Sequence, residues 1–282
     1  RAPRLLVFQR GEIAVRACLA ARALRVPSIL FVTPADEGSL ASEHADELYV
    51  HERSEARESF QSLAALRAAI ARTGATHVYP GYGFLSESPT LAEAVQQAGA
   101  VFVGPAAATL GKLADKGHAR AFADEAALPH LGVSLDTAPL ASAYPLMLKA
   151  VAGGGGRGNL RVDHPSELGA ACERLAARAL QLFGDDALIA ERYVARARHV
   201  ELQFFGFGEA GAVVLGTRDC SLQRRHQKVI EEGPATQRAR ERLAPLLPRF
   251  IAALTRMRYQ GAGTLELLHD LDADALYFME VN

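Results

Sequence analysis

Five glycines around a single arginine, at residues 153–158, form the sharpest chemical feature of the sequence. They lie between two predicted strands, 145–150 and 159–162, and Lys149 stands near the end of the first strand. Glycine adopts positive φ freely, and successive backbone N–H groups in such a loop can surround an anion. The alternative is a flexible linker, although linkers are usually rich in serine and are not flanked by strands. The pattern predicts a hairpin flap over phosphate groups, with Lys149 in reach of them, but it is no Walker loop because no Gly-Lys-Ser/Thr closes it.

A second group of residues could bind a metal ion. Glu266 and Glu280 lie on two predicted strands and stand opposite each other if the turn between them is centred near Ala273. Asn282 is two residues beyond Glu280 and therefore shares its face of the strand. Two carboxylates across a strand pair repel, and a hard cation such as Mg²⁺ would cancel that repulsion and take oxygen ligands from all three residues. Two solvated surface glutamates are the competing interpretation.

Polar and basic residues gather in two further segments. Four basic residues and His226 lie within residues 218–228 of a chain whose net charge is −1. This density favours an anion site over an exposed basic loop. Segment 199–204 alternates strictly, which places His199, Glu201 and Gln203 on one face of a strand. A polar strand face is usually solvent-exposed, so this alternation alone assigns no function.

Composition narrows the class of protein. The 282 residues suggest about two domains at roughly 150 residues each. With 49% apolar and 22% charged residues the chain is globular, which excludes a disordered, collagenous or coiled-coil protein. Thirty-one basic against 32 acidic residues provide no basic field for nucleic acid or an anionic membrane, and no apolar run approaches the roughly 20 residues of a membrane span. Three scattered cysteines argue against a disulfide framework and fit a reducing compartment.

The elements that must position these residues fall into two halves. The first half alternates strands with helices, the strands at 5–8, 28–32, 47–50, 76–79 and 101–103 and the helices at 12–24, 59–72 and 90–98. This rhythm predicts an α/β, doubly wound parallel sheet. A helical stretch follows at 106–128, and mainly consecutive strands after residue 145 predict an α+β architecture with helices at 166–183 and 239–257. Because Asn282 closes a predicted strand without a cap, we expect the chain to be a piece of a longer protein.

Several strings of residues then match one known family in the family's order. They are Arg10-Gly11-Glu12-Ile13-Ala14, Pro80-Gly81-Tyr82-Gly83-Phe84-Leu85-Ser86-Glu87, the glycine flap, Arg198-His199-Val200-Glu201, residues 218–228 and Gly261-Ala262-Gly263-Thr264. The chain resembles the N-terminal two-thirds of biotin carboxylase, an ATP-grasp ligase that is a component of acyl-CoA carboxylases and pyruvate carboxylase. The resemblance implies a Rossmann-like N-terminal domain at 1–105, a helical linker at 106–130, an ATP-grasp lid at 131–194 and the first part of the ATP-grasp C-terminal domain at 195–282, the remainder of that domain being truncated.

The resemblance also implies roles for individual residues. Lys116 and Lys149 would contact the ATP phosphates, and Gly155 and Gly156 would close over them. The adenine region would be lined by Glu191, Arg192, Tyr193 and Val194. The ribose and its surroundings would be held by His199, Gln223 and His226. Glu191 would accept a hydrogen bond from the adenine amino group. Glu266, Glu280 and Asn282 match the ligands of Mg²⁺ or Mn²⁺, and Lys228 matches the catalytic lysine that binds bicarbonate.

The implied reaction is ATP-dependent carboxylation of biotin by bicarbonate through carboxyphosphate. Biotin would arrive on a carboxyl carrier domain, and a carboxyltransferase domain or subunit would use the product. The resemblance implies a cytoplasmic protein, or one of the mitochondrial matrix in a eukaryote, that forms a homo-oligomer and binds neither nucleic acid nor membrane. The arginine and glutamate that the family uses on bicarbonate and biotin should follow Asn282, so we expect the present chain alone to be inactive.

Two other interpretations remain open at this point. One is another ATP-grasp ligase such as a carbamoyl phosphate synthetase, against which the strings Arg225-His226-Gln227-Lys228 and residues 80–87 discriminate. The other is a nucleotide-binding or assembly domain without turnover. The sequence also departs from the family's pattern at Gln9, Thr217 and Asn159, and it has short connections at 131–144 and 234–241.

Overall fold

The computed structural model describes residues 2–83, 85–113, 116–152, 158–225 and 227–282. The chain forms two compact units, Arg1–Gly111 and Lys112–Asn282. Among the described helices, none combines the length and the apolar character that crossing a lipid bilayer requires.

The first unit is built on a five-stranded parallel sheet of order β3-β2-β1-β4-β5. Its elements are β1 (Leu5–Val7), α1 (Gly11–Ala23), β2 (Ser28–Val32), α2 (Leu40–His44), β3 (Glu47–Val50), α3 (Leu63–Thr73), β4 (His77–Tyr79), α4 (Pro89–Gln97), β5 (Val101–Phe102) and α5 (Ala107–Gly111). Alternation along the buried strand β2 sends Ile29 and Phe31 to the face covered by α3 and α4, and Leu30 and Val32 to the face covered by α1 and α2. The predicted doubly wound sheet is confirmed.

The second unit contains two antiparallel sheets. Its elements are α6 (Lys116–Glu125), β6 (Gly132–Val133), β7 (Leu146–Ala150), β8 (Asn159–Val162), α7 (Leu168–Phe183), β9 (Leu188–Arg192), β10 (Ala197–Phe207), β11 (Ala212–Arg224), β12 (Gln227–Glu232), α8 (Gln237–Leu243), α9 (Leu247–Arg256), β13 (Gln260–Asp270) and β14 (Ala275–Val281). The first sheet has the order β6-β9-β7-β8 and the second the order β12-β11-β10-β13-β14. This arrangement confirms the predicted change from an α/β to an α+β architecture.

The smaller sheet has an apolar core of its own. Leu146 and Leu148 of β7 pack with Ala190 of β9 against Ala171 and Leu175 of α7. Strands β7 and β8 pair in antiparallel fashion on either side of the glycine segment. The predicted flap itself, residues 153–157, lies outside the described residues.

The larger sheet separates an apolar face from a polar one. Val200, Leu202 and Phe204 of β10 are fully buried in a cluster that includes residues of α6, α8 and α9. Glycine is required at position 263 of the neighbouring strand β13, because a Cβ there would lie 2.4 Å from Cζ of Phe204. The other face of β10 carries His199, Glu201 and Gln203, as the alternation of the sequence indicates.

Proline changes one helix from its predicted form. The helix expected at 239–257 is divided into α8, a 3-10 turn at Ala244–Leu246, and α9. Pro245 and Pro248 supply the reason, since neither has an N–H for the helical hydrogen-bond ladder. The helical stretch expected at 106–128 is likewise two helices, α5 and α6, and residues 114–115 between them lie outside the described residues.

Candidate functional site

The candidate site begins with two carboxylates on neighbouring strands. Glu266 of β13 lies opposite Glu280 of β14, as predicted, and a register shift between Glu266 and Leu267 is part of what produces this pairing. Asn282 continues β14 by two backbone hydrogen bonds to Thr264, of 2.7 and 2.9 Å. From there its side-chain Nδ2 donates to Oε1 of Glu266 over 2.9 Å. The three predicted metal ligands therefore lie together.

The Glu266 carboxylate is already well supplied with donors. Nζ of Lys228 donates to Oε1 over 2.9 Å, and Nε2 of His199 lies 2.9 Å from Oε2. Nε2 of Gln223 lies 2.7 Å from Nδ1 of His199, on the side of the ring opposite Glu266. Burial acts to raise the pKa of Glu266, but hydrogen bonds from His199 and Lys228 and their charges outweigh it and lower this pKa to about 2.

A third acidic residue, Glu201, completes the cluster. Its alternation with His199 predicts this face of the strand but assigns it no role. Glu201 is fully buried on β10. Its Oε2 accepts from Nη2 of Arg218 at 2.5 Å, while Lys228 forms an ion pair with its Oε1. Within the cluster, Lys228 and Arg218 match the charges of Glu201 and Glu266, as burial of a charge demands. Strand alternation with His199 was the signal that located Glu201, and full burial is what marks it as important.

The position of Lys228 shows that the β11–β12 hairpin bends over the sheet. Lys228 lies on the edge strand β12, and three strand spacings of about 4.8 Å separate β12 from β13 in a flat sheet, more than a lysine side chain spans. The pairing of β11 with β12 is irregular between Asp219 and Gln223, as in a bulged strand that curls. Burial opposes the charge on Lys228, but its hydrogen bonds to Glu201 and Glu266 raise its pKa above the usual value.

A cavity lies beside the carboxylates, between α6, β9 and β14. It is lined by Lys116, Arg120, His130, Leu131, Gly132, Ile189, Ala190, Glu191, Phe278 and Met279. Lys149 of β7 forms an ion pair with Glu191 at this place. Two predicted ATP contacts, Lys116 and Glu191, thus line one cavity, and a third, Lys149, contacts it through Glu191. Sequence reasoning missed Arg120, His130 and Met279, because they come from separate elements and no spacing links them.

Glu280 follows Met279, which lines the cavity, and is influenced both by Glu266 and by lysines on the cavity side. Its pKa is raised, first by burial and then by the charge of Glu266, while the charges of Lys116, Lys149 and Lys228 act in the opposite direction. The three lysines predicted to hold phosphates and bicarbonate therefore act on the same carboxylate, although they come from a helix and two different sheets.

The other predicted site residues are placed less centrally. Nη2 of Arg192 donates to the Tyr277 hydroxyl over 2.9 Å, and the Tyr193 ring lies 4.4 Å beneath the guanidinium of Arg161. Arg192, Tyr193 and Val194 are not among the described residues that line the cavity next to Glu191. Gly155, Gly156 and His226 lie outside the described residues, so their roles stay predictions.

Comparisons with known proteins agree with this geometry. Residues 1–110 match the family model of the biotin carboxylase N-terminal domain, and residues 132–282 match that of the carbamoyl-phosphate synthase L chain ATP binding domain. The chain is 36% identical over 289 residues to biotin carboxylase from Pseudomonas aeruginosa, covering 99% of this chain and 64% of that protein. It is 35% identical over 288 residues to the alpha subunit of mitochondrial methylcrotonoyl-CoA carboxylase from Oryza sativa, covering 99% of this chain and 39% of that one.

A solved structure extends the likeness to three dimensions. The biotin carboxylase domain of Hydrogenobacter thermophilus 2-oxoglutarate carboxylase, in complex with MgADP, ADP and bicarbonate, superimposes with a TM-score of 0.87 at 30% identity, covering 99% of this chain and 63% of that one. The chain thus spans less than two-thirds of the length of these relatives. Both halves of the chain match, in the order that these relatives share, and the chain belongs to the biotin carboxylase family of ATP-grasp proteins.

Proposed function

We propose that this chain supplies the ATP and bicarbonate sites of an enzyme that carboxylates biotin. The observation that carries the proposal is the placement of three lysines around the opposed carboxylates: Lys228 donates to Glu266, and the charges of Lys116, Lys149 and Lys228 all act to lower the pKa of Glu280. Fixed cations beside paired carboxylates are what phosphoryl transfer from a metal–nucleotide complex requires, since its catalysis is mainly positioning and charge stabilisation. Bicarbonate would attack the γ-phosphate of ATP to give carboxyphosphate, whose carbon is then passed to biotin.

The donor set fits a divalent cation such as Mg²⁺ or Mn²⁺. Glu266, Glu280 and Asn282 offer hard oxygen ligands. Burial and, after it, the charge of Glu266 raise the pKa of Glu280, and a cation would offset both effects. When bound, the ion would offset negative charge on the transferring phosphoryl group. Glu266 and Glu280 would orient it from opposite strands, and the backbone pairing of Asn282 with Thr264 would hold the third ligand in place.

The nucleotide would lie against the cavity beside α6 and β9. The acceptor-only carboxylate of Glu191 suits the amino group of adenine, and the ammonium groups of Lys116 and Lys149 suit the phosphates. Lys149 is paired with Glu191 in the structure, so nucleotide binding would exchange this pair for one contact to the base and one to the phosphates. The lid at 131–194, with its glycine flap, would then close over the phosphates and exclude water.

Lys228 would bind bicarbonate, and His199 and Gln223 would hold the sugar side of the site. Biotin would be presented on a carboxyl carrier domain, and a carboxyltransferase would pass the carbon to the final acceptor. We place the protein in the cytoplasm, or in the mitochondrial matrix of a eukaryote, as a homo-oligomer. The proposal also includes the division of the chain into four parts, at 1–105, 106–130, 131–194 and 195–282.

Bicarbonate-dependent ATP hydrolysis by the full-length protein, with and without free biotin, tests the proposal. We expect ADP release that requires both a divalent cation and bicarbonate and that rises when biotin is added. ATP hydrolysis that is indifferent to bicarbonate would contradict the assignment and favour another ATP-grasp ligase. Nucleotide binding without any turnover would favour an assembly domain.

A further inference from the structure

Two residues with separate proposed tasks are bound to each other in this site. Lys228, assigned to bicarbonate, donates to Oε1 of Glu266, which is assigned to the metal, over 2.9 Å. The same oxygen accepts from Nδ2 of Asn282, also over 2.9 Å. Both acceptor positions of this oxygen are therefore occupied. A Mg²⁺ ion at about 2.0–2.1 Å must displace a donor, and it repels the ammonium more strongly than the neutral amide.

We propose that Lys228 and the divalent cation exchange on Oε1 of Glu266, so that metal binding frees the Lys228 ammonium for the anion that it binds. This inference rests on the proposed function, because it takes the metal and bicarbonate assignments from there. It adds a coupling between the two sites that the assignments alone do not require. Asn282 takes part by turning its amide, so that its Oδ1 faces the cation in place of Nδ2.

The rest of the cluster is arranged so that only this one oxygen needs to change partners. His199 lies on the other oxygen of Glu266, at 2.9 Å from Oε2, and can stay there. Arg218 lies on Oε2 of Glu201, and Lys228 keeps its ion pair with Oε1 of Glu201 when it leaves Glu266. The buried Glu201 therefore never loses both of its cations, which removes the largest cost of the exchange.

Lys228 is also placed to meet a small anion after the exchange. Its side chain is 30% exposed, whereas those of Glu201 and Glu266 are 0% and 7% exposed. The ammonium therefore contacts the buried carboxylates and is also accessible from the solvent-exposed side of the site. A lysine suits this task better than an arginine, because a point charge on a flexible stem can swing from one oxygen to another.

Coupling of this kind is reciprocal. If metal binding tightens the binding of bicarbonate by some factor, bicarbonate must tighten the binding of metal by the same factor. A hydrogen bond between charged groups corresponds to about a tenfold effect or more on an equilibrium. We therefore expect bicarbonate to lower the dissociation constant for metal about tenfold, in the absence of any turnover.

The test titrates the full-length protein with Mn²⁺ in the presence of a non-hydrolysable ATP analogue, and follows free Mn²⁺ by electron paramagnetic resonance. In the wild type, bicarbonate should tighten Mn²⁺ binding about tenfold, a measurement that needs no variant. In Lys228→Gln, Mn²⁺ should bind about tenfold more tightly without bicarbonate, and the bicarbonate effect should disappear.

Arg218→Gln is the matched control. It also removes one of the two cations on Glu201, but Arg218 makes its contacts with Glu201 and Glu231 rather than Glu266. Because Arg218 pairs with Glu201 and Glu231, and Lys228 keeps Glu201 paired, the exchange predicts a change in Mn²⁺ affinity of less than about threefold in this variant, with the bicarbonate effect kept. Thermal unfolding of each variant shows whether it is folded before titration.

Three results would overturn the proposal. Equal tightening in both variants would mean that general charge near the site, not exchange on Glu266, sets metal affinity. Wild-type Mn²⁺ affinity that ignores bicarbonate would mean that the two sites are independent. Failure of the wild type to bind the ATP analogue at all would refute the proposed function, and the exchange with it, which separates that failure from the other two.

Discussion

Replacing each of the two opposed glutamates by glutamine removes the same charge from neighbouring strands, yet the two substitutions should affect folding in opposite ways. Glu266 accepts from Lys228 and Asn282 and lies 2.9 Å from His199, so Glu266→Gln leaves the Lys228 ammonium and these two polar side chains without their anionic partner. Glu280 is in the reverse situation, because burial and the charge of Glu266 raise its pKa and make its ionised form costly.

The magnitudes follow from the pKa values. A pKa lowered from 4.5 to about 2 means that ionised Glu266 stabilises the fold by about 3 kcal/mol. Since the pKa is lower in the folded state, this stability is complete above the unfolded pKa and is lost as the pH falls from about 5 toward 2. For Glu280→Gln, relief of the cross-strand repulsion should stabilise the protein by about 0.2–1 kcal/mol at pH 7.

Urea unfolding at pH 7 measures the effect of each substitution on stability. Calorimetric titration with Mg²⁺ and a non-hydrolysable ATP analogue measures its effect on metal-dependent nucleotide binding. We expect Glu266→Gln to lower the free energy of unfolding by about 3 kcal/mol and Glu280→Gln to leave it unchanged or slightly higher. This difference should narrow as the pH is lowered from 5 toward 3. Both variants should weaken metal-dependent nucleotide binding about tenfold or more, because each removes one anionic ligand.

The exposed Glu209, which pairs with Arg258 where both side chains are more than 70% exposed, provides the control. Glu209→Gln should change neither the free energy of unfolding nor nucleotide binding, since exposed ion pairs contribute little. Equal destabilisation by Glu266→Gln and Glu280→Gln would refute the reasoning, because it would mean that the two carboxylates share one environment. Wild-type metal affinity in Glu280→Gln would refute the metal assignment independently of folding.

Three further substitutions test separate parts of the site and fold. Lys228→Gln should keep nucleotide binding but lower bicarbonate-dependent ATP hydrolysis about tenfold to a hundredfold, and lost nucleotide binding would show that Lys228 serves ATP. Glu191→Met removes the acceptor for the adenine amino group and the partner of Lys149, so the preference for ATP over GTP in competition binding should fall about tenfold; an unchanged preference would remove Glu191 from base recognition. Gly263→Ala should destabilise the second unit by about 1–3 kcal/mol in urea unfolding, with partial rescue by Phe204→Leu, and an absence of rescue would place the strain elsewhere.

Local pattern was sufficient for the framework of the fold. The strands at 28–32, 47–50 and 159–162 have the bounds that apolar runs and flanking turns predict. The opposition of Glu266 and Glu280 was also predicted, but the turn alone does not produce it. The pairs nearer the turn, from Asp270–Ala275 to Leu267–Phe278, would place Glu266 opposite Met279, and a register shift between Glu266 and Leu267 brings Glu280 there instead. The bounds of a strand can be predicted because they depend on residues within one or two neighbouring elements of the chain.

The centre of the site could not be predicted in the same way. Strand β12 was not foreseen, since its residues Gln227–Glu232 are exposed throughout and show no alternation between buried and polar positions. The contacts of Lys228 with Glu201 and Glu266 depend on how far the β11–β12 hairpin bends, which irregular pairing over several residues decides. Tertiary packing, rather than spacing along the chain, brings these three side chains together.

Although the net charge of the whole chain is close to zero, charged side chains are concentrated at the candidate site. Glu201 and Glu266 can be buried as ions because Lys228, Arg218 and His199 lie against them, since an unpaired ion in such a place would cost several kcal/mol. The same pairing holds Lys228 between Glu201 and Glu266, beside the residues proposed to bind the metal ion. Ligands that bring their own charges would then replace existing contacts one by one, and for this reason metal, nucleotide and anion should bind as coupled events rather than independent ones.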